Sequence, residues 1–558
     1  MHLNAGSLAL TASRGGAGPG ALFAAGEKGV WFDPSDLSTL TQGVGVPVTA
    51  VEQPVGLMLD KSQGLALGAE LIVNGAFNSD VSSWTQLTGT TAWVGNAMQV
   101  TASGAFGRGE QSVATTVGAV YRVSATVFVA AGSTGNLRAT QGSSPFGTDG
   151  DAGNITSTTP VSVSFYFVAS QTSTLIQCAA AANGNVATFD NVSCRQVLGN
   201  HAYQATSTSR PVLRARYNLL TYSEDATQWT QAVNGATVTA DAAAAPDGNT
   251  TADRVNLGTA DYRYNTTSAQ LPPNTYTASV WAKSFSGSNV QLALRCNASL
   301  TGANQASSLT TVGATWQRIT LTLVLAATDF VVFGPDQRNG VGSGIGVAAD
   351  VLLWGMQIIP GANAGTYQRI AAATVYDTAG FVPYLDADGV DDCMQTANID
   401  MTGTSKLSLF AGMMKGSDAA TQMLAELSAD SNVNPGFYMS TPVSAAPTFS
   451  WHANGTAPAN VNTGSSYPAP INAVLTGLME ISTPREMMRV NGVLIADANT
   501  TLGSGNLGNL PLYLFSRAGG ATFPLKGRCY GLILRGATST AAEIALAEAW
   551  CNARAGAY

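Results

Sequence analysis

Three histidines, His2, His201 and His452, set the first limit on what this chain can catalyse. His2 stands in the opening residues and His201 in a polar connector, so a His-dependent triad or a His-rich zinc site is very hard to build. No G-x-S-x-G elbow, H-E-x-x-H pair or phosphate-binding loop appears either. Carboxylates and aromatics remain. Paired carboxylates can cleave glycans, and the densest acidic cluster is Asp386, Asp388, Asp391 and Asp392. It resembles a calcium loop but lacks the glutamate and glycine placement of an EF-hand, and a capped turn is the plainer reading. Glu224 and Asp225 follow a strand and precede Trp229, where they could hold a sugar hydroxyl or calcium; a surface turn is the alternative. Asp190 and Asn191 lie in a closing strand, the weak candidates for a structural calcium. No other cofactor or metal is expected, and no catalytic residue.

Sugar recognition needs exposed aromatic faces, with amides or carboxylates for the hydroxyls. Trp84, Trp93, Trp229, Trp281, Trp316, Trp354 and Trp451 are available, but on alternating strands a large aromatic packs in the core by default. Trp451, in FSWHANG beside His452 and Asn454, is the best exposed candidate. The expected ligand-binding residues are thus Trp451, His452, Asn454, Glu224 and Asp225.

Strands must carry these side chains. Only 11% of residues are charged, while 60 are Gly and 22 Pro, the composition of an uncharged, turn-rich β-protein. YRVSATVFVA (121–130), VSVSFYFV (161–168) and WQRITLTLVL (316–325) alternate with period two. ELIVNGAFNSDVSSWTQ (70–86) and YNLLTYSEDATQWTQ (217–231) are near-duplicates: an apolar start, a polar turn, then Trp-Thr-Gln. Each heads a stretch of β-patterned sequence, so two domains of one architectural type follow in tandem. The shared Trp84 and Trp229 are read as a common structural element. The fold class is all-β: tandem jelly rolls or sandwiches with an N-terminal anchoring arm and one C-terminal helix, capped by Thr540 with Glu543. The divisions are residues 1–65, the arm; 66–199, a first jelly roll; 200–216, a linker; 217–360, a second jelly roll; 361–381, a linker; and 382–558, a third sandwich. Cys178 and Cys194, on successive strands, could face each other as a disulfide or be plain buried residues.

Net charge is −8 with no basic stripe, which argues against nucleic acid and suits sugars or protein partners. No stretch approaches the ~18 apolar residues of a membrane span. The opening MHLNAGSLALTASRGG is a poor signal peptide. A protein acting outside the cell would then leave by lysis, which points to a virion.

GVWFDPSDLSTLTQ with VEQPVGLMLDKSQGL resembles the N-terminal element of tail- and head-fibre proteins of tailed bacteriophages and gene transfer agents. RYNLLTYSEDATQWTQ, WGMQI and GTYQRI resemble the carbohydrate-binding-like jelly roll of phage spikes. ELIVNGAFNSDVSSW with FDNVSCR is similar to carbohydrate-binding-module jelly rolls. LDADGVDDCMQT with AAEIALAEAWCNARAG resembles the laminin-G or concanavalin-like sandwich. The resemblance implies a non-enzymatic virion fibre or spike, a homotrimer joined to other virion proteins through residues 1–65, with its outer modules on host-surface polysaccharide. A ligand-free spacer and a capsule depolymerase are the alternatives.

Overall fold

The computed structural model describes residues 18–558, apart from 44, 142–147, 230, 234, 300–304, 429–434, 464–466 and 521. His2 and the start of the expected arm lie outside them. The described strand pairings are antiparallel, and the described residues hold one α-helix, Ala541–Ala555. The chain divides into two compact units: residues 1–214, 383–466 and 472–558, and residues 215–382 with 467–471.

The first unit contains a large sandwich and the first jelly roll. Lys526–Arg535 and Lys406–Lys415 are the middle strands of one sandwich sheet; Met394–Asp400, Asn509–Leu514 and Met423–Leu427 lie within the other. The described part of the expected N-terminal arm belongs to this sandwich. Gly29–Phe32 pairs with Lys526–Arg535, Gln53–Pro54 with Val212–Arg214, and Leu57–Met58 with Ala202–Tyr203. The reason is in the sequence: the apolar runs at 29–59 are too short to enclose a core. Val30, Phe32, Val55, Leu57, Met58 and Leu59 therefore bury themselves in the larger one. The expected linkers contribute as well, since Val212–Arg214 also pairs with Tyr384–Asp388. The sandwich is thus assembled from three separated chain segments, and each jelly roll is an insertion whose entry and exit are hydrogen-bonded neighbours: Met58 opposite Ala202, and Arg214 opposite Tyr384.

Asp60 and His201 fasten the first junction. The fully buried Asp60 carboxylate accepts from the Trp31, Ser62 and Asn200 backbone N–H groups at 2.8 Å each, and its own N–H donates to His201 Nδ1 at 2.9 Å. Burial raises Asp60 to about 6 and lowers His201 to about 4. The helix follows from its expected capping box, Thr540 with Glu543, and packs Ala547 and Cys551 against Phe410 and Ile533.

The two jelly rolls have the same strand order. In the first, one sheet runs Thr148–Asp151, Gly135–Thr140, Ser173–Ala180, Gly107–Ala114, Thr85–Leu87; the facing sheet runs Val161–Val168, Val120–Val129, Val186–Val197, Met98–Ala102, Gly89–Trp93. In the second, Gln305–Val312, Val290–Ala298, Val331–Pro335, Tyr262–Thr266, Gln231–Val233 face Gln317–Leu325, Asn274–Ser284, Ala349–Pro360, Ala252–Leu257, Thr237–Ala243. Alternation puts Val123, Val127 and Phe189 in one core, and Val280, Leu321 and Leu323 in the other. All six cysteines are free and buried, so Cys178 and Cys194 serve as core residues, not a bridge.

Candidate functional site

Gly355 lies beside the main site. Its left-handed backbone, φ 67°, coincides with a break in register between Asn274–Ser284 and Ala349–Pro360. That bulge shifts the alternation by one residue. Leu353 and Met356 both reach the core, while Trp354 falls outside it, in a small cluster with Tyr367. The two rings meet at 4.7 Å between centroids and 57° between planes. Together they line a cavity of about 490 Å³.

Glu224 is brought to the same cavity by the loop that opens the domain. The loop is fixed by backbone bonds of Ser223 to Ile370 and Met356, at 2.9 and 2.8 Å. Tyr367 Oη donates to Glu224 Oε1 at 2.9 Å, Arg369 Nε lies 3.3 Å from Oε2, and Arg369 also approaches Asp377 at 3.8 Å. The turn before Ala252–Leu257 adds Asp247, Asn249 and Thr251. Thr251 Oγ1 accepts the Trp354 indole N–H at 2.9 Å. Burial raises the Glu224 pKa, opposed by Tyr367 and Arg369 and reinforced by the charges of Asp247 and Asp377. The cavity thus offers an aromatic wall, three carboxylates, one guanidinium, an amide and a hydroxyl. Such a set can stack a sugar face while accepting and donating hydrogen bonds to its hydroxyls.

Of the expected ligand residues, the cavity contains Glu224 alone. Asp225 is a structural cap: its carboxylate accepts from Thr227 N at 3.0 Å at the start of a short 3-10 turn. Trp451 is a correction. It is 0% exposed, stacks on Phe437 at 5.1 Å, donates its indole N–H to Leu478 O, and fills the space above Gly477, where a Cβ would come within 2.4 Å of its ring. Consecutive strand residues face opposite ways, so His452 lies on the other face. There it stacks on Tyr438 at 3.9 Å, and burial followed by the Arg517 charge lowers it to about 4. Asn454 is nearly buried on the same strand. The three residues do not converge.

The calcium candidates are occupied locally. Asp190 accepts from the backbone and side-chain nitrogens of Asn191 at 2.7 and 2.8 Å. Asp388 and Asp392 bond within their own turn, Asp391 accepts from Ser209, and Asp386 pairs with Arg214. No group of three His, Cys, Asp or Glu residues gathers at metal-binding spacing among the described residues. Trp354 was among the tryptophans weighed for sugar stacking, with core packing as the default; Tyr367, Arg369, Asp247, Asn249 and Asp377 were not anticipated. The available signal was Trp-Gly in the middle of an apolar strand, a bulge sequence.

Neither the family models nor the curated proteins match the chain. Among solved structures, it is similar to the CBM22 tandem domain of Paenibacillus barcinonensis Xyn10C, at 14% identity and TM-score 0.22, covering 53% of this chain and 98% of that one. It is also similar to a heptameric SAP-like pentraxin of Limulus polyphemus, at 8% identity and TM-score 0.24, covering 30% and 80%. A third is the binding domain of botulinum neurotoxin serotype G, at 7% identity and TM-score 0.25, covering 35% and 48%.

Proposed function

We propose that this chain is a non-enzymatic virion fibre or spike protein whose second jelly roll holds host-surface glycan in the Glu224 cavity. One observation carries the binding reading: a half-enclosed cavity of about 490 Å³ joins the Trp354–Tyr367 wall to a partly buried carboxylate already braced by Arg369 and Tyr367. A carboxylate held in place makes strong, directional bonds to hydroxyls and loses little freedom on binding. The virion reading is supported by the resemblance of GVWFDPSDLSTLTQ to phage fibre proteins. Since that segment completes the sandwich, attachment through it would use the sandwich surface. A homotrimer would multiply weak sites by avidity. No helix among the described residues is long and apolar enough to cross a membrane.

Glycan-array screening of the full chain, followed by calorimetry on the best ligand, tests the binding reading. Glu224→Gln should lose one charged hydrogen bond, about 1.5–3 kcal/mol or roughly ten- to hundredfold in Kd. Trp354→Ala should lose at least as much. Absence of binding to any host polysaccharide would favour the spacer reading. The raised pKa of Glu224, with Asp247 and Asp377 in the same cavity, favours one second reading, polysaccharide cleavage by paired carboxylates. A fall in polysaccharide viscosity that Glu224→Gln abolishes would establish that reading in place of simple binding.

A further inference from the structure

Tyr222 is a residue whose backbone its side chain does not suit. Its φ is +51°, a left-handed conformation that bulky residues avoid. The near-duplicate openings show what the position asks for. Aligning LIVN (71–74) with LLTY (219–222) places Asn74 of the first jelly roll opposite Tyr222 of the second. Asn74 also has a left-handed backbone, φ 54°, and in both domains the carbonyl of this residue accepts the indole N–H of the shared tryptophan: Trp84 to Asn74 at 3.2 Å, Trp229 to Tyr222 at 3.0 Å. Asparagine is at home there, and its side chain closes its own loop through bonds to Asp80 and Ser82. The Tyr222 ring does no such work. It is 37% exposed, and its hydroxyl has no partner among the described residues.

Tyr222 instead lines a second cavity, of about 420 Å³. Phe330 supplies another aromatic surface there, and Gln228, Asn265, Thr267 and Ser268 are among the other lining residues. No lining residue is charged, in contrast to the Glu224 cavity. Two of the polar groups are held rigidly: Asn265 Nδ2 donates to Thr221 O at 2.7 Å, and Thr267 Oγ1 donates to Ala269 O at 2.9 Å while accepting from Val331 N. An aromatic face among uncharged amides and hydroxyls fits a ring with an apolar face and a hydroxyl rim, and offers nothing to neutralise an ion.

We infer that the Tyr222 cavity is a second saccharide site, specific for uncharged sugars, in which the ring stacks on Tyr222. The inference rests on reading this jelly roll as a glycan binder, but on a different cavity. The probes are linear gluco-, manno-, galacto- and xylo-hexaoses, titrated against the full chain by calorimetry. At least one should bind. Tyr222→Asn, which installs the residue of the first jelly roll, should weaken that binding tenfold or more without lowering Tm. Tyr222→Phe should stay within threefold of wild type. Failure of every hexaose to bind overturns the proposal, as does full affinity in Tyr222→Asn. A fall in Tm for Tyr222→Asn would show a packing role and overturn it too. Equal losses in Tyr222→Asn and Glu224→Gln would place the ligand in the Glu224 cavity instead. Loss of Glu224-dependent binding alone leaves the Tyr222 site standing.

Discussion

The two jelly rolls share ten strands in the same order, the first adding Leu67–Glu70 beside Val186–Val197, and differ in what their outer surfaces do. In the first, the opening loop is closed by Asn74, and the outer face of one sheet is locked by Arg108, Glu110 and Gln177: Arg108 Nε donates to Glu110 at 2.8 Å and Gln177 Nε2 to the same oxygen at 3.0 Å. In the second, the loop presents Tyr222 to one cavity and Glu224, two residues later, to another. The corresponding sheet is locked by fully buried Asp336, which receives Arg338 at 2.7 Å and the Tyr264 hydroxyl. Both domains therefore secure the sheet with an arginine–carboxylate pair, and only the second spends its loop residues on open, unclosed surface. The strands and the indole bond define the fold; the loop chemistry separates a filled module from a receptive one.

The largest test of that comparison removes what is common. Trp84→Ala and Trp229→Ala each delete a nearly buried ring and its hydrogen bond to the left-handed carbonyl. Each should cost about 3–5 kcal/mol. Because Trp229 belongs to the separate second unit, its loss should expose that unit to limited proteolysis first, with cleavage mapped by mass spectrometry. Trp84→Ala should expose the first jelly roll and leave residues 215–382 protected. Cleavage spread over both domains in either variant would break the equivalence of the two tryptophans.

A smaller effect comes from exchanging what differs. Asn74→Tyr forces a bulky residue into the left-handed region and removes the bonds to Asp80 and Ser82. The expected loss is about 1–3 kcal/mol by chemical denaturation. A neutral result would mean that the position tolerates tyrosine without strain, and that the left-handed backbone sets Tyr222 apart from Asn74 in no way.

The sequence made the strands easy to read, because period-two alternation at 121–130 and 316–325 reports directly which side chains are buried. The tandem relationship was equally legible from the Trp-Thr-Gln openings. The sandwich was harder. Its first strand pairs with residues some five hundred positions away, as Val30 does with Leu534, and local pattern contains no record of such a partner. Trp451 was misplaced because a turn-like neighbourhood, HANG, suggested exposure, while the small residue that makes room for its ring, Gly477, sits on another strand. Glu224 was found as an acidic residue near a strand end. The rest of its cavity converges from three separated chain segments, 247–251, Trp354 and 367–377, and local periodicity does not report which loops meet.

The smallest expected difference is in pH dependence, and its sign separates the domains. Asp253, buried in the second jelly roll, is raised to about 6 by burial first and by the charges of Asp225 and Asp241, against bonds from the Asp241 and Ala226 N–H groups. Between 3.8 and about 6 the folded state holds a proton that the unfolded chain has released, so this group's contribution to stability falls as pH rises through that window. Glu224, also raised, acts in the same direction. In the first jelly roll Glu70 is shifted the other way: despite partial burial, bonds from Ser193, Arg195 and backbone N–H groups hold it below 4.5. Its stabilisation is present above 4.5 and is lost only as pH falls below that value. Lowering pH from 6 to 4.5 should therefore strengthen the second jelly roll by about 1 kcal/mol, each pKa unit being worth about 1.4 kcal/mol, and leave the first almost unchanged. Hydrogen exchange followed by mass spectrometry reads both domains in one sample. Once exchange rates are corrected for intrinsic pH dependence, protection should rise in 215–382 and stay level in 66–199. A parallel change in both would show that the carboxylates of the two domains sit in equivalent surroundings, and that the contrast drawn from their loops does not extend to their cores.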